Sequence, residues 1–417
     1  MRQSQLFSKT RREAPQDEVS KNARLLVRAG FVKKAVAGAY EWLPLGLRVL
    51  ENAAKIVREE MSAAGGQELR LTALQDPELW KETNRWDDAV VDNWFKTALK
   101  SGGELGLGFS HEEPMVEMLR EHVSSYRDLP FSVFQIQTKF RNELRAKSGV
   151  LRGREFLMKD AYSFAAKPEQ HREMYERYAE AYSRVFARAG VGERTYRTKA
   201  SGGVFSGDLS EEFQTECAAG EDTVFVSADG KFAINEEVAT EENLAKFGVS
   251  RADLSPKTCV EVGNIFHLGA KFSEPLNLVF ANETGERVPV TMGCYGIGVS
   301  RLVGAVVEAL GEENSMVWPE ELAPFKVHLV ALGVDDAVSS AARDVYDRLL
   351  ARNVEALWDD RDLPAGQKLA DADLIGCPAR VVIGRRSLER GVAEVVDRRT
   401  GESREVPLAE VTTSLPF

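Results

Sequence analysis

The segment Thr138-Lys-Phe-Arg-Asn-Glu143 sets an arginine two residues before a glutamate. Side chains two apart on a strand share a face. Arg141 can then meet a phosphate while Glu143 holds an amine or orients the site. Alone, such a pair is an ordinary surface ion pair. It gains weight from Arg152, Phe156 and Asp160, which follow at steps of four. A guanidinium for a terminal phosphate and a ring to stack on a base suit ATP. A third piece is Met292-Gly-Cys-Tyr-Gly-Ile-Gly-Val-Ser-Arg301. Its glycines at 293, 296 and 298 let backbone approach a ligand closely. Arg301 falls in the first turn of a following helix, whose N-terminal end favours anions. The plain alternative is a glycine-rich strand-to-helix turn. The order GxxGxG is not the dinucleotide fingerprint GxGxxG, and no GxxxxGKS or GxxxxGKT loop occurs, which excludes an ordinary P-loop ATPase.

These residues need a scaffold. Leu47, Leu50, Ala54, Val57 and Met61 form one face of a helix from about Leu45 to Ala64, closed by Gly65-Gly66. Pro168 opens a second helix, whose stripe of Met174, Tyr178, Tyr182 and Val185 ends at Gly190. Both stripes read as core-facing. Strand-like runs cover Leu69–Leu74, Phe131–Phe140 and Glu155–Phe164; Arg287–Met292 leads into Gly293 and a helical stretch through Leu310. Strands not separated by regular helices predict an α+β core with an antiparallel sheet. A boundary falls at Pro319–Pro324. Beyond it the runs Val327–Leu332, Val338–Arg352, Val354–Asp359, Lys368–Ile375 and Ala379–Ile383 alternate as β-α-β-α-β, a small α/β domain with a largely parallel sheet. Asp229–Pro256 is polar and acidic and reads as a short insertion or linker.

Composition sets further bounds. At 43% hydrophobic and 29% charged residues, the chain has an ordinary soluble profile, and no apolar run approaches the roughly 20 residues of a membrane span. The stretch Met1–Glu13 has no apolar core and is not a secretory signal, so the protein is expected in the cytoplasm. Cys217, Cys259, Cys294 and Cys377 stand alone without CxxC spacing, which argues against a zinc site or a disulfide framework. The net charge of −11 disfavours a simple nucleic-acid module. Basic residues do gather locally: Lys139, Arg141, Arg145, Lys147, Arg152, Arg154 and Lys159 in one segment, Arg380, Arg385, Arg386 and Arg390 in another. A solvated face is the commoner meaning of such a run. The first cluster is interleaved with Phe140 and Phe156, a pattern suited to a polyanion carrying a flat ring.

Together the pieces resemble the motifs of class II aminoacyl-tRNA synthetases. Phe140-Arg141-Asn142-Glu143 through Phe156 looks like motif 2, and the glycine segment ending in Arg301 like motif 3. Within that class the chain is most similar to the bacterial prolyl-specific enzymes. The resemblance runs from Ser4-Gln-Leu-Phe to the C-terminal domain, through Leu43-Pro-Leu-Gly-Leu-Arg48, Gln135–Arg141, Arg154–Phe164 and Glu261–Gly269. It implies a class II antiparallel catalytic core over 1–222 and 258–320, a short insertion at 223–257 in place of an editing domain, and an anticodon-binding domain over 324–417.

The resemblance also implies roles. Arg141 holds the α-phosphate and the substrate carboxylate; Glu143 takes the adenine amine; Phe156 stacks on adenine; Arg152 and Arg301 take the γ-phosphate. Arg141 and Arg301 are thus the catalytic pair. Ser110 and Glu112 match a Thr-x-Glu loop for the imino group of proline, and Met158 and Phe266 wall its ring. Glu261 and Asn264 contact ATP, and Glu261 also Mg2+. Arg361 and Lys368 contact the anticodon. The implied partners are L-proline, ATP, tRNA(Pro) and a second copy in a homodimer. Without an editing domain, alanyl-tRNA(Pro) falls to a separate deacylase. The chain departs from the pattern at Leu71-Thr72, where motif 1 carries a proline, and at Ser110, where threonine is usual. The alternative is a catalytically silent synthetase-like tRNA-binding or regulatory protein. Loss of the phosphate arginines would mark it, and Arg141, Arg152 and Arg301 are all retained.

Overall fold

The computed structural model describes residues 1–203, 205, 209–333 and 335–417. The chain forms two compact units, one of residues 36–39 and 54–305, the other of 1–35, 40–53 and 306–417.

The first unit is built on a nine-stranded sheet. Its strands in chain order are β1 (Gly66–Glu68), β2 (Phe131–Phe140), β3 (Glu155–Ala165), β4 (Thr195–Ala200), β5 (Ser210–Glu216), β6 (Asp222–Ser227), β7 (Ala233–Asn235), β8 (Leu254–Gly269) and β9 (Thr291–Gly298). They lie in the order β5-β4-β7-β6-β8-β9-β3-β2-β1, with β5 also pairing β8. All described pairings are antiparallel except β1 with β2 and β7 with β4. This is the antiparallel α+β core that the spacing predicts. Of the helices, α3 (Pro168–Arg188) buries its expected stripe, whereas α1 (Pro44–Ala63), whose residues up to Ala53 count with the other unit, buries Leu50, Ala54, Val57 and Met61 but leaves Leu47 exposed; α2 (Glu112–Leu119) lies between them in the chain, and α4 (Val299–Leu310) follows β9. Tyr178, Tyr182 and Val185 of α3 are completely buried, and Tyr178 stacks on Tyr295 of β9 at 4.2 Å. One face of the sheet is therefore sealed by a helix.

Three expectations change. Leu69–Leu74 is not one strand: β1 stops at Glu68, and a two-residue strand follows at Leu74–Gln75. Leu69 N still donates to Phe134 O at 2.9 Å, but from Leu71 the backbone bonds to side chains instead of a ladder. Leu71 N donates to Gln135 Oε1 at 3.0 Å, and Gln137 Nε2 donates to Leu71 O at 2.5 Å. Second, the glycines after Met292 make no turn. β9 runs to Gly298 and the helix begins at Val299. A Cβ at Gly293 would lie 2.5 Å from Tyr295 Oη and 2.8 Å from Ser163 Oγ. That glycine thus serves close packing on a strand. Third, 229–256 is not a bare linker. It supplies β7 and a helix at Glu241–Lys246, and Phe225, Ile234, Leu244 and Leu254 form a small core there.

The second unit carries β10 (Val327–Leu332), β11 (Ala356–Asp359), β12 (Ala379–Gly384), β13 (Val392–Asp397) and β14 (Ser403–Pro407), with α5 (Asp336–Ala351) and α6 (Ala365–Ile375). The order is β11-β10-β12-β13-β14. The first three strands are parallel, as the alternation predicts. The last two add antiparallel edges, a pair that the sequence reading did not include. Val327, Leu329, Val338, Val345, Val381 and Val395 fill its core. All four cysteines of the chain are buried. Among the described residues no helix is long and apolar enough to cross a membrane.

Candidate active site

Strand register aligns residues from five segments on the open face of the large sheet. Gln135 pairs with Asp160, Asp160 with Gly296, Gly296 with Asn264, and Asn264 with Glu212. The neighbouring row runs Val133, Tyr162, Cys294 and Phe266. The centre of the first row is a glycine. A Cβ at Gly296 would sit 2.8 Å from Asn264 Oδ1, so the missing side chain keeps the floor open.

A pocket on this floor is lined by Arg141, Glu143, Arg152, Phe156, Met158, Glu261, Asn264 and Arg301, along with Val150, Leu151 and the glycines at 153, 263, 296 and 298. Eight of the nine residues that the sequence names for nucleotide and ring contact therefore converge. Arg141 lies just past the end of β2, its N–H held by Arg154 O at 2.9 Å. Its guanidinium sits over the rings of Phe109 and Phe156, at 4.9 and 5.4 Å. Its Nε is buried and makes no hydrogen bond among the described residues. Burial pushes its pKa down from the ordinary arginine value, and Arg301 adds to the effect. A cation held this way lacks only an anion.

Glu143 does not share Arg141. Arg152 Nε and Nη2 donate to Glu143 Oε2 at 3.0 and 2.9 Å, and Arg152 Nη1 donates to Glu221 Oε2 at 2.8 Å. The expected strand pair is thus replaced by a bridge across the loop after β2, with Glu221 as a partner that sequence spacing did not suggest. Arg301, in the first turn of α4, donates through Nε to Leu151 O at 2.8 Å and through Nη1 to Glu261 O at 2.7 Å. Glu261 Oε2 lies 3.2 Å from Arg301 Nη1, and Glu261 Oε1 accepts from Asn264 Nδ2 at 2.7 Å.

Ser110, Glu112 and Phe266 do not line that pocket; they lie buried toward the second row. Glu112 heads α2 with no exposed surface. Its Oε2 pairs with Arg85 Nη1 at 3.2 Å, while Oε1 accepts from Tyr162 Oη at 3.3 Å and faces Cys294 Sγ at 3.5 Å. Burial works against its charge, but Arg85 and the hydroxyl of Ser110 hold its carboxyl below the usual range. Phe266 packs against Phe205 with the rings tilted, at 4.9 Å between centroids. Beside them Lys139 Nζ reaches Asp160 Oδ1 at 2.8 Å and His111 Nδ1 at 2.5 Å. Burial drives the His111 pKa down to about 4, with Lys139 adding to the shift. Asp160 is thus a structural anchor below the floor. Sequence reasoning missed Arg85, Glu113, Tyr162 and Cys294 as neighbours of Glu112. Only Glu113 carried a local signal, as the second of two adjacent acids.

In the other unit, Arg361 donates to Asp359 at 2.8 and 2.7 Å and to Asp371 at 2.9 Å. Lys368 is buried, its Nζ 2.6 Å from Ala331 O. Both side chains brace the domain internally, and neither offers a free charge at the surface.

Comparison with known proteins gives the following. Residues 95–310 match the model of the tRNA synthetase class II core domain (G, H, P, S and T), and residues 326–416 that of an anticodon binding domain. A proline-tRNA ligase of Caulobacter sp. strain K31 is 38% identical over 441 aligned residues, covering 100% of this chain and 98% of the relative. That of Zymomonas mobilis strain ZM4 is 39% identical over 430, covering 97% and 96%. Among solved structures, the Giardia lamblia prolyl-tRNA synthetase in complex with prolyl-adenylate has a TM-score of 0.77 at 21% identity, over 93% of this chain and 74% of that one. The Cryptosporidium parvum enzyme with L-proline and AMP has a TM-score of 0.75 at 16% identity, over 94% and 73%.

Proposed function

The chain belongs to the family of proline-tRNA ligases, and from that premise we infer how its pocket works. The enzyme attaches L-proline to tRNA(Pro) in two steps, through a prolyl-adenylate. The observation that carries the reading is Arg141, held over two rings with its Nε buried and without a hydrogen bond among the described residues, opening on the same pocket as Arg301. In the first step the proline carboxylate attacks the α-phosphorus of ATP in line, and pyrophosphate leaves. No side-chain nucleophile is needed; positioning and charge stabilisation carry the rate. Arg141 draws the α-phosphate and the carboxylate together. Phe156 stacks on adenine, and Glu143 accepts from its amine. Arg152 and Arg301 face the outer phosphates. Glu112 accepts from the secondary ammonium of proline, and Met158 and Phe266 flank the pyrrolidine ring.

Mg2+ fits this donor set. It favours one or two carboxylates together with substrate phosphates, and Glu261 offers a carboxylate at the pocket with Asn264 fixing one of its oxygens. When bound with ATP the ion neutralises phosphate charge. In the second step a ribose hydroxyl of the tRNA's terminal adenosine attacks the carbonyl of the prolyl-adenylate, forming the prolyl ester as AMP leaves, and the unit over 326–416 binds the anticodon. Arg361 and Lys368 shape that unit from within; any contribution they make to anticodon binding is through its shape. Cytoplasmic action as a homodimer is the state that family membership supports.

Pyrophosphate exchange screened across all amino acids, with ATP and Mg2+, tests the reading. Proline-driven exchange is expected. Its absence in folded protein would turn the reading toward the silent homologue. The chain has only the small β6–β7 subdomain where an editing domain would be inserted. A methylene is worth only about 1–3 kcal/mol of discrimination, so some alanine is charged and, we propose, cleared by a separate deacylase. The pure enzyme is expected to leave alanyl-tRNA(Pro) intact in a deacylation assay; rapid clearance would show editing within this chain.

A further inference from the structure

Two adjacent carboxylates, Glu112 and Glu113, are both fully buried at the start of α2. One cation serves them. Arg85 Nη1 lies 3.2 Å from Glu112 Oε2 and 3.0 and 3.1 Å from the two oxygens of Glu113. Arg85 is itself buried, with the rings of Trp80, Phe205 and Phe272 around its guanidinium at 4.8, 5.2 and 5.2 Å. Its Nε and Nη2 make no hydrogen bond among the described residues. The hydroxyl of Thr83 donates to Glu113 Oε1 at 2.7 Å. Tyr162 and Cys294 face Glu112, and Lys271 is near enough to Arg85 for their like charges to interact. Among the described residues no second cation is within ion-pair distance of Glu113. Lys139 and Arg141 also feel the charge of Glu112, whereas Glu113 is governed by Arg85 and by the like charge of Glu112; ionising both acids beside one shared guanidinium in a buried site is costly.

We propose that Arg85 and Glu113 are positioning residues for the amino-acid site: Arg85 keeps Glu112 ionised and aimed across the sheet, and Glu113 carries the proton that keeps the empty site neutral. The inference rests on Glu112 as the acceptor for the substrate ammonium. When that cation arrives, it balances Glu112 and frees Arg85 to compensate Glu113. Glu113 then releases its proton to bulk water, so one positive charge enters as one leaves. Burial, with Glu112 beside it, pushes the Glu113 carboxyl up to about 7 against the pull of Arg85, which places the exchange in the working pH range. The sign follows directly. Proline binds better when Glu113 is ionised, so its KM falls as pH rises through neutrality.

The test is the pH profile of KM for proline in pyrophosphate exchange, with KM for ATP as the internal control. In the unmodified enzyme KM for proline should fall between about pH 6 and about pH 8, approaching roughly tenfold per unit at the acid end. Glu113→Gln should flatten that slope while leaving KM for ATP unchanged. Thr83→Val removes a donor to the ionised acid and should move the profile to higher pH. The Thr83 variant decides the matter if the Glu113 variant does not fold. A Glu113→Gln enzyme with the original slope, or a Thr83→Val enzyme with an unmoved profile, would overturn the proposal. Glu112→Gln separates this from the underlying reading: it should lose proline-dependent exchange, and its retention would mean that Glu112 is not the ammonium acceptor.

Discussion

Replacing Arg141 with alanine is expected to cut proline-dependent pyrophosphate exchange by about 10^2–10^3-fold in a protein that stays folded. The guanidinium is buried between two rings with Nε unpaired. It therefore carries a desolvation cost that the carboxylates of Glu261, Glu143 and Glu112 offset only in part. Such a group gains its partner when an anion enters, and gains most where negative charge develops. Loss of a preorganised donor of this kind costs about 10^2–10^3 in kcat. The same change removes a strained charge from the apoprotein, so its melting temperature should hold or rise. That pairing separates a working arginine from a structural one, because breaking a structural ion pair lowers both activity and stability. Exchange within a few-fold of the unmodified enzyme would remove Arg141 from the mechanism.

The second large effect is expected at Gly296. Its place in the row between Asp160 and Asn264 leaves no room for a Cβ, which would stand 2.8 Å from Asn264 Oδ1. In Gly296→Val either Asn264 moves or the strands part. Asn264 also donates to Glu261, which in turn touches Arg301. The displacement therefore spreads along the nucleotide side of the pocket. Misplacement by about 1 Å can cost about 10^2-fold, and ATP use should fall by at least that much. Fluorescence-monitored ATP binding reads it directly. Unchanged ATP affinity in the variant would show that the floor tolerates a side chain.

How much was legible depended on the range of the signal. Helices α1 and α3 announced themselves through periodic apolar stripes, and β2 and β3 through strand-like runs in which apolar and polar residues interleave. The end of β1 was hidden because Gln135 and Gln137, more than sixty residues away, capture the backbone of Leu71. The strand course of β9 was hidden because glycine signals turn and close packing alike; only Tyr295 and Ser163 reveal which. In the site, Arg141, Arg152, Phe156, Glu261, Asn264 and Arg301 were readable from type, spacing and resemblance, and they share one pocket. Their pairings were not: Glu143 meets Arg152, not Arg141, and Glu221 joins them from a distant strand edge. Arg85 lies 27 residues before Glu112 in an unrelated turn, and no local pattern ties the two. Arg361 and Lys368 looked like free charges because nothing nearby in sequence tells a basic side chain to fold inward.

The residue row across β2, β3, β9, β8 and β5 also bears on how the molecule comes to be made. Its members are drawn from Gln135 to Gly296, so most of the pairings that create the pocket join segments far apart in the chain. Such non-local sheets close late, after loop entropy has been overcome. During synthesis from the N-terminus, β9 and Arg301 emerge last among the parts of the site. Nascent chains that stop short of them hold no complete pocket, and nucleotide can neither bind nor stabilise them. ATP then acts on folding only as a late clamp: it draws the equilibrium toward the finished sheet through mass action, and it leaves the earlier steps to the apolar packing of β2 and β3 against α3.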